Sequence, residues 1–583
     1  MKRFSCDFET TTDLKDCRVW AFACCEIGNT DNFIYGNSLD AFMEWCANKK
    51  ENYTCYFHNL KFDGAFIVSW LLKEGFEYVE DKKLRHDNTF NTLITDMGQW
   101  YKIEVWFSIK GHKTNKVTFL DSMKILNFSV DFIASKKGFN LPHQKLEIDY
   151  KAKREPGHQL TDEEIAYIHN DVWIVATALD IMFKQGLDKM TIASDALKSF
   201  KDMCTNFRKY FPPLSPEEDE AIRPSYKGGF TYVSDKYAGK EVGAGVVLDV
   251  NSLYPSRMLL ELPYGKAEPF TGKYKEDKFY PLYIQKLECI FEIKPGKIPS
   301  IQIKKNLSFV ENEYLKSSNG EIVTLMLTSP DLELFFEQYN VEVVQWSGGY
   351  KFQKMRGLFD DYINYWTGQK TQAKKDGNKA LYLISKLMQN GLYGKLSTAL
   401  KGRRKIPVLV NDEVRYVTGD EEQKKGVYLP AGAFITALAR KFTIETSQMI
   451  RDWSMEHKGY DAYCYSDTDS IHALLDENDL KILSDIIDID DYRLGAWKHE
   501  SSFVKAKFIR QKCYIEEDAD GEINVTIAGY PKKLAHLVNF QNFKEGFSTA
   551  EFSDEEIGKA GRKLRYKHVD GGVVLVDTDF TLK

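Results

Sequence analysis

Asp7 and Glu9 in SCDFETT stand two positions apart in a run, Phe4 to Phe8, that reads as a strand, so their carboxylates project from one face. YFHNLKFDG adds Asp63, with Asn59 four residues before it. YIHND adds Asp171, with Tyr167 four residues before it, a spacing that puts both on one side of a helix. LDVNSLYPS then places Asp249 at the end of an apolar strand, and YSDTDS places Asp467 and Asp469 around Thr468 in a turn between strands. A lone Asp-x-Glu is mostly a solvated strand end, and a lone acidic pair in a hairpin is mostly a turn. Grouped, such carboxylates balance the charge of two hard divalent cations about 4 Å apart, the arrangement that hydrolyses or builds a phosphodiester.

Transfer of a nucleotide also needs cations for the triphosphate. KLMQNGLYGK spaces Lys386, Asn390 and Tyr393 by four and three, one stripe of a helix, with Lys379 a further seven back and Lys370 a second candidate phosphate contact. Lysine neutralises migrating negative charge while the ring packs against a base pair. The formal net charge is -6, which opposes a phosphate-rich partner unless the cations cluster. They do, at Lys370 to Lys386, at Lys401, Arg403, Arg404 and Lys405, and at Lys559 to Lys567, while acid collects at Glu217 to Glu220 and Asp485 to Asp491.

In this order the segments resemble those of the protein-primed family-B DNA polymerases of phi-twenty-nine-like tailed bacteriophages, from Ser5 to the closing GGVVLVDTDFTLK. The resemblance implies a 3′→5′ exonuclease in which Asp7, Glu9, Asp63 and Asp171 hold metal, Tyr167 orients the attacking water and Lys145 in HQKLEIDY stabilises charge at the scissile phosphate. It implies Thr10, His58, Asn59, Phe62, Ser122, Met123 and Phe128 as contacts of the single strand, Met123 standing where leucine is commoner. LDVNSLYPS matches motif A and YSDTDS motif C: Asp249 and Asp469 are the principal metal ligands, Asp467 and Val250 accompany them, and Val250, Leu253 and Tyr254 line the nucleotide pocket with Ser252 on the DNA side. Tyr254 is the expected steric gate against a 2′-hydroxyl. Lys370, Lys386, Asn390 and Tyr393 match motif B, although Gly391 replaces its usual serine. Lys512 and Tyr514 match the primer-gripping Lys-x-Tyr pair, and Tyr226, Lys227, Gly228 and Gly229 the Tyr-x-Gly-Gly connector. Thr436 and Arg440 are expected as minor primer contacts. Two Mg²⁺ ions per active site, with Mn²⁺ as an alternative, template and primer DNA, deoxynucleoside triphosphates and a terminal protein are the implied cofactor and partners.

The elements that must position these groups read as α/β at the front and α+β behind. A second strand at Tyr53 to Phe57 and an apolar helix at Ala65 to Leu72 follow the first strand. Thr161 with Glu164 forms a capping box ahead of Ile165, Ile168, Val172, Val175, Leu179 and Met182, a firm helix under Tyr167 and Asp171. Phe211 to Pro224 reads as a connector, Gly245 to Val250 as a buried strand, and Tyr463 to Leu475 as two strands around the acidic turn. The resemblance implies a multi-domain fold, a ribonuclease-H-like exonuclease joined to palm, fingers and thumb with two insertions. The expected partition is exonuclease 1–190, palm 191–260 and 429–536, a terminal-protein insertion 261–358, fingers 359–396, a strand-displacement insertion 397–428 and thumb 537–583. In that second insertion, Ile406 to Val410, Asn411 and Asp412, and Val414 to Val417 read as a hairpin.

With 583 residues, 43% hydrophobic and 28% charged, the chain is expected to be globular in three to five units. Gly64 to Leu72 is too short to span a bilayer, Met1 to Thr10 lacks the apolar core of a signal peptide, and ten scattered cysteines fit a reducing compartment, so the host bacterial cytoplasm is expected. Two rival readings, a nuclease-only relative and a non-catalytic DNA-binding relative, both conflict with the presence of all seven carboxylates.

Overall fold

The computed structural model describes residues 2–48, 52–110, 113–149, 152–302 and 314–583. The front of the chain forms an eight-stranded mixed sheet of order β3-β2-β1-β4-β8-β7-β6-β5. Its strands are β1 (Lys2–Thr10), β2 (Val19–Glu26), β3 (Asn29–Gly36), β4 (Tyr53–Phe57), β5 (Glu77–Tyr78), β6 (Thr89–Ile94), β7 (Trp100–Lys110) and β8 (Lys113–Asp121). Alternation along β1 turns Phe4, Cys6 and Phe8 into an aromatic core with Phe42 and Phe57, and turns Asp7 and Glu9 to the opposite face. That face is covered by the helix Asp162–Lys184, whose Tyr167, Ile168 and Val172 pack on Ala21, Ala23 and Cys25 of β2. The capping box is formed: Thr161 Oγ1 accepts from the Glu164 amide at 3.2 Å, and Glu164 accepts from the Thr161 amide at 3.0 Å. The other helix, expected from Ala65, starts earlier and spans Leu60–Lys73, behind an Asn59 held at φ 91.

A five-stranded antiparallel sheet carries the second acidic group, in the order Trp497–Phe503, Gly245–Val250, Ser470–Ala473, Tyr463–Asp467, Thr231–Val233. Thr468 turns the chain between its two acidic neighbours with φ 63. Behind the sheet runs the helix Leu429–Lys458, largely buried. A separate four-stranded sheet with the helix Ser329–Gln338 occupies the expected first insertion. The helices Asp360–Lys375 and Lys379–Leu396 form an antiparallel pair.

Three details differ from the sequence reading. The supposed connector contains the helix Pro216–Ile222, with its own capping box between Ser215 and Glu218 and proline in its first turn. The helix Ile192–Met203, assigned to the palm, packs on the two fingers-like helices: Phe200 stacks on Phe359 with centroids 4.7 Å apart, and Ala193 and Ala196 face Gly391. A Cβ at Gly391 would meet Ala193 at 3.5 Å, ordinary contact, so the glycine marks a close helix crossing rather than a forbidden side chain. Tyr428, placed in the second insertion, is buried and donates to the Gly265 carbonyl at 2.8 Å, because its ring completes the core around Phe211.

Two hairpins reach back to the front unit. Lys405–Val410 with Glu413–Thr418 packs Tyr416 against Trp100, centroids 5.8 Å apart. Lys563–Val569 with Gly572–Thr578 lies on the helix Leu60–Lys73. There a Cβ on Gly572 would sit 2.4 Å from the Phe66 ring, and Gly571, at φ +85, would bring a Cβ within 2.2 Å of the Cys17 carbonyl. The hairpins touch each other through Tyr416 and His568, 5.6 Å apart.

Candidate functional site

The front sheet gathers one carboxylate group. One oxygen each of Asp7, Glu9 and Asp171 lies within 4.8 Å of the others, and Lys145 Nζ donates to Asp171 Oδ2 at 2.8 Å. Burial, then repulsion from Asp171, raises the Asp7 pKa to about 7, and burial with the same neighbours pushes Glu9 up. Asp63, also pushed up by burial and by Asp7, keeps Oδ1 buried without a hydrogen-bond partner, as does Asp171. Orphaned anionic oxygens in an all-oxygen donor set fit a hard divalent cation.

The second sheet gathers the other. Asp249 pairs in register with Ser470 and Lys498, and the Val250 amide donates to the Asp469 carbonyl at 2.8 Å, so motif A and the acidic turn sit side by side. Lys498 Nζ lies 3.3 Å from Asp249, and Lys512 Nζ bridges both oxygens of Asp467 at 2.9 and 3.0 Å. Burial, then Glu500 and Asp469, raises Asp249 to about 6. Asp249, Asp467, Asp469, Glu500, Lys512 and Tyr514 border a cleft of about 610 Å³. This donor set is again all oxygen, and Lys498 and Lys512 offset only part of the charge of these four carboxylates.

Two carboxylate groups on separate sheets invite comparison with known proteins. The family described as DNA polymerase type B, organellar and viral, matches residues 46–482. The DNA polymerase of Bacillus phage M2 is 47% identical, with 100% of each chain covered. The chain belongs to the type B DNA polymerase family. Phi29 DNA polymerase complexed with primer-template DNA and incoming nucleotide substrates superposes with a TM-score of 0.89 at 43% identity, and Phi29 DNA polymerase complexed with single-stranded DNA with 0.87 at 42%. Both comparisons cover 100% of each chain. The polymerase therefore has the exonuclease, palm, fingers and thumb architecture of phi29-like phage enzymes.

On the fingers pair of this polymerase, Lys379, Lys386 and Asn390 are exposed along one helix face, Tyr393 is half-buried, and Lys370 faces them from the other helix, its pKa lowered by burial and by Lys386. Leu253 and Val250 are buried, and Ser252 takes a left-handed φ of 57 before the short helix that carries Tyr254. Gly229 explains the connector: a Cβ there would fall 2.5 Å from Thr468 Oγ1, so the Tyr226–Gly229 loop presses directly on the acidic turn. Tyr514 packs on Tyr465, whose hydroxyl accepts from the Lys512 amide at 3.0 Å.

Several residues expected as DNA contacts also bond within the protein itself. Arg440 is 2% exposed, grips Asp331 at 2.7 and 2.8 Å, and donates to the carbonyls of Lys227 and Gly228 at 2.9 Å each. Thr436 is 1% exposed and bonds back to its own helix. Arg440 thereby holds the loop that presses on the acidic turn. In the front unit, Ser122 is fully buried and donates to the Phe57 carbonyl, while His58 joins Ser122 Oγ at 3.0 Å to the Phe128 carbonyl at 2.6 Å. These two residues brace the loops that carry Asn59 and Phe128 from beneath. Thr10, Asn59, Phe62, Met123 and Phe128 stay partly exposed on those loops and their neighbours. Of the basic knot, Lys401 pairs with Glu220 and Arg404 with Glu422. In the third cluster Arg562 pairs with Asp579 and Lys567 donates to the Leu14 carbonyl, while the Lys559 side chain lies outside the described residues.

Sequence reading missed four residues. Asp121, at the end of β8, accepts from the amides of Asn59 and Met123 at 3.2 and 3.0 Å and so ties two loops together. Lys498 and Glu500, one residue apart on an edge strand, flank Asp249. Asp331 anchors Arg440. Only WKHES, an alternating charged strand, carried any signal.

Proposed function

We propose that this polymerase is protein-primed, processive and strand-displacing, replicates a linear phage genome in the host cytoplasm by two-metal nucleotidyl transfer, and proofreads with a 3′→5′ exonuclease. The observation that carries the reading is the pair of carboxylate groups on separate sheets, one of them with two buried oxygens lacking any partner. Two Mg²⁺ ions per site, or Mn²⁺, would be held by Asp7, Glu9, Asp63 and Asp171 in one unit and by Asp249, Val250, Asp467 and Asp469 in the other. When bound, such ions lower the pKa of the attacking oxygen and offset charge on the phosphate.

The residues of the chain do the rest. Lys145 faces the scissile phosphate from beside Asp171, and Tyr167 orients water from the same helix face. Lys370 and Lys386 meet the triphosphate, Asn390 and Tyr393 the new base pair, and Tyr254 the sugar. Lys512 exchanges its bond to Asp467 for the primer terminus, with Tyr514 as its neighbour. The partition 1–190, 191–260, 261–358, 359–396, 397–428, 429–536 and 537–583 assigns exonuclease, palm, terminal-protein insertion, fingers, displacement insertion, palm and thumb. It is amended at Ile192–Met203, which packs with the fingers, and at Tyr428, which packs with the core. The test is threefold: extension of a primed template, shortening of a labelled single strand, and attachment of a deoxynucleotide to the cognate terminal protein, each with Mg²⁺. Extension without attachment would overturn protein priming alone.

A further inference from the structure

The thumb-side hairpin brings one side chain to the loop of the front unit that carries Asn59. Tyr566, on Lys563–Val569, accepts a hydrogen bond from Asn59 Nδ2 at 2.8 Å. Its ring lies 6.4 Å from that of Phe62, tilted by 46°, and Lys61 Nζ sits 4.9 Å above it. Asn59 and Phe62 are the polar and aromatic groups expected to take the end of a single strand, so Tyr566 presents them with a flat ring and an oxygen acceptor, the two features of a nucleotide that such a site reads. Asn59 is also the residue held at φ 91, before Asp63 begins to face the metal group. The Tyr566 hydroxyl and ring stand in the space beside Asn59 Nδ2 and the Phe62 ring that a strand end would need.

The position of Tyr566 is imposed from elsewhere. At the hairpin turn, Asp570 pairs with Arg18 at 3.0 Å and with Lys73, its carbonyl accepts from the Cys17 amide at 3.0 Å, and its amide donates to the Lys15 carbonyl at 3.1 Å. Gly571 and Gly572 let the backbone touch the front unit without a side chain between them. Tyr566 itself remains 37% exposed, so it is not packed into a core and can swing away.

We propose that Tyr566 is a latch on the single-strand site: in the DNA-free polymerase it occupies Asn59 and Phe62, and a frayed 3′ end must displace it to enter. The inference rests on the exonuclease reading of the first carboxylate group. It sets a threshold for entry, since a strand gains the Nδ2 hydrogen that Tyr566 holds, and the space of its ring, only by displacing it.

The experiment measures binding of a single-stranded oligonucleotide carrying 2-aminopurine at its 3′ end, by fluorescence, with Asp7→Ala as background and divalent metal chelated so that nothing is degraded. Tyr566→Phe removes the acceptor and keeps the ring, and Tyr566→Ala removes both. Both should tighten binding about two- to tenfold, the scale of one net hydrogen bond, while affinity for a fully paired primer-template stays unchanged. Weaker binding would mean that Tyr566 is itself a strand ligand, and unchanged binding that it competes with nothing; either result overturns the latch. Asn59→Ala separates the two readings. If it weakens binding while the Tyr566 variants do not tighten it, the latch alone falls; if it has no effect, the single-strand site is misplaced and both fall.

Discussion

Tyr254 lies against Tyr393 with ring centroids 4.1 Å apart and planes 24° from parallel. One ring comes from the short helix after Asp249 and the other from the helix Lys379–Leu396, so in the proposed function the pair would close the floor of the nucleotide pocket. Tyr254→Val should open that floor and admit ribonucleotides. Competition between a ribonucleotide and its deoxy counterpart on a primed template should show discrimination reduced about tenfold or more, the scale on which a pocket sorts by size. Unchanged discrimination would remove Tyr254 as the gate.

Asp469→Asn should reduce primer extension to background and leave single-strand degradation intact, because the two carboxylate groups share no residue. Asp7→Ala with Asp63→Ala should do the reverse. Parallel assays on one preparation of each variant check both, and a double variant that still shortened a labelled strand would show that the front group is not the hydrolytic site.

The two groups should also part company with pH. Protons compete with metal for a carboxylate, and the competition sets in as pH falls through the metal-free pKa. Asp7 stands at about 7 and Asp249 at about 6. At limiting Mg²⁺, lowering the pH from about 8 to about 6.5 should therefore suppress degradation before extension. A ratio of the two rates that stays flat, or moves the other way, contradicts the assignment.

Arg440→Met should destabilise the polymerase by about 3–5 kcal/mol, the cost of breaking an ion pair whose arginine is buried and whose carboxylate is mostly covered. Asp331 would keep its bond from Thr328 Oγ1 but lose its cation, and the carbonyls of Lys227 and Gly228 would be released, so the connector loop should loosen as well. Urea denaturation gives the first effect, and faster proteolysis near residue 228 the second. A variant of normal stability that merely bound primer less tightly would show Arg440 acting as a DNA contact instead.

Sequence and structure diverge here for a physical reason. The clustering of carboxylates is legible because strand alternation and helix spacing fix where they point: Asp7 with Glu9, and Tyr167 with Asp171, needed only local geometry. The internal bonds of Arg440 were not legible, because an arginine bonded to carbonyls looks the same in sequence as one awaiting phosphate; Asp331, its partner, is 109 residues away. The helix Pro216–Ile222 was readable in its Ser215–Glu218 box and went unread because acid and proline suggested a connector. Tyr566 and the Gly571–Gly572 pair offered no local pattern, since what they touch lies some five hundred residues back along the chain, at Asn59, Phe66 and Cys17.

Replacing Lys405–Thr418 by a short Gly-Ser bridge, with Tyr428 kept because it belongs to the core, should shorten products on singly primed circular DNA under single-binding conditions. Insertion of one nucleotide should continue at its normal rate. Full-length displacement products from the deletion variant would leave the hairpin without a part in processivity.

The contact of Tyr416 with His568 joins two arms that leave the chain at distant points and both rest on the front unit. If, as proposed, the DNA strand passes between these arms, their contact would let it leave only lengthwise. On a linear template such an exit comes at every end. A covalently closed circle offers none, so a polymerase threaded on one would stay until the arms part or the nucleotides run out, and its residence there would report how often Tyr416 and His568 separate.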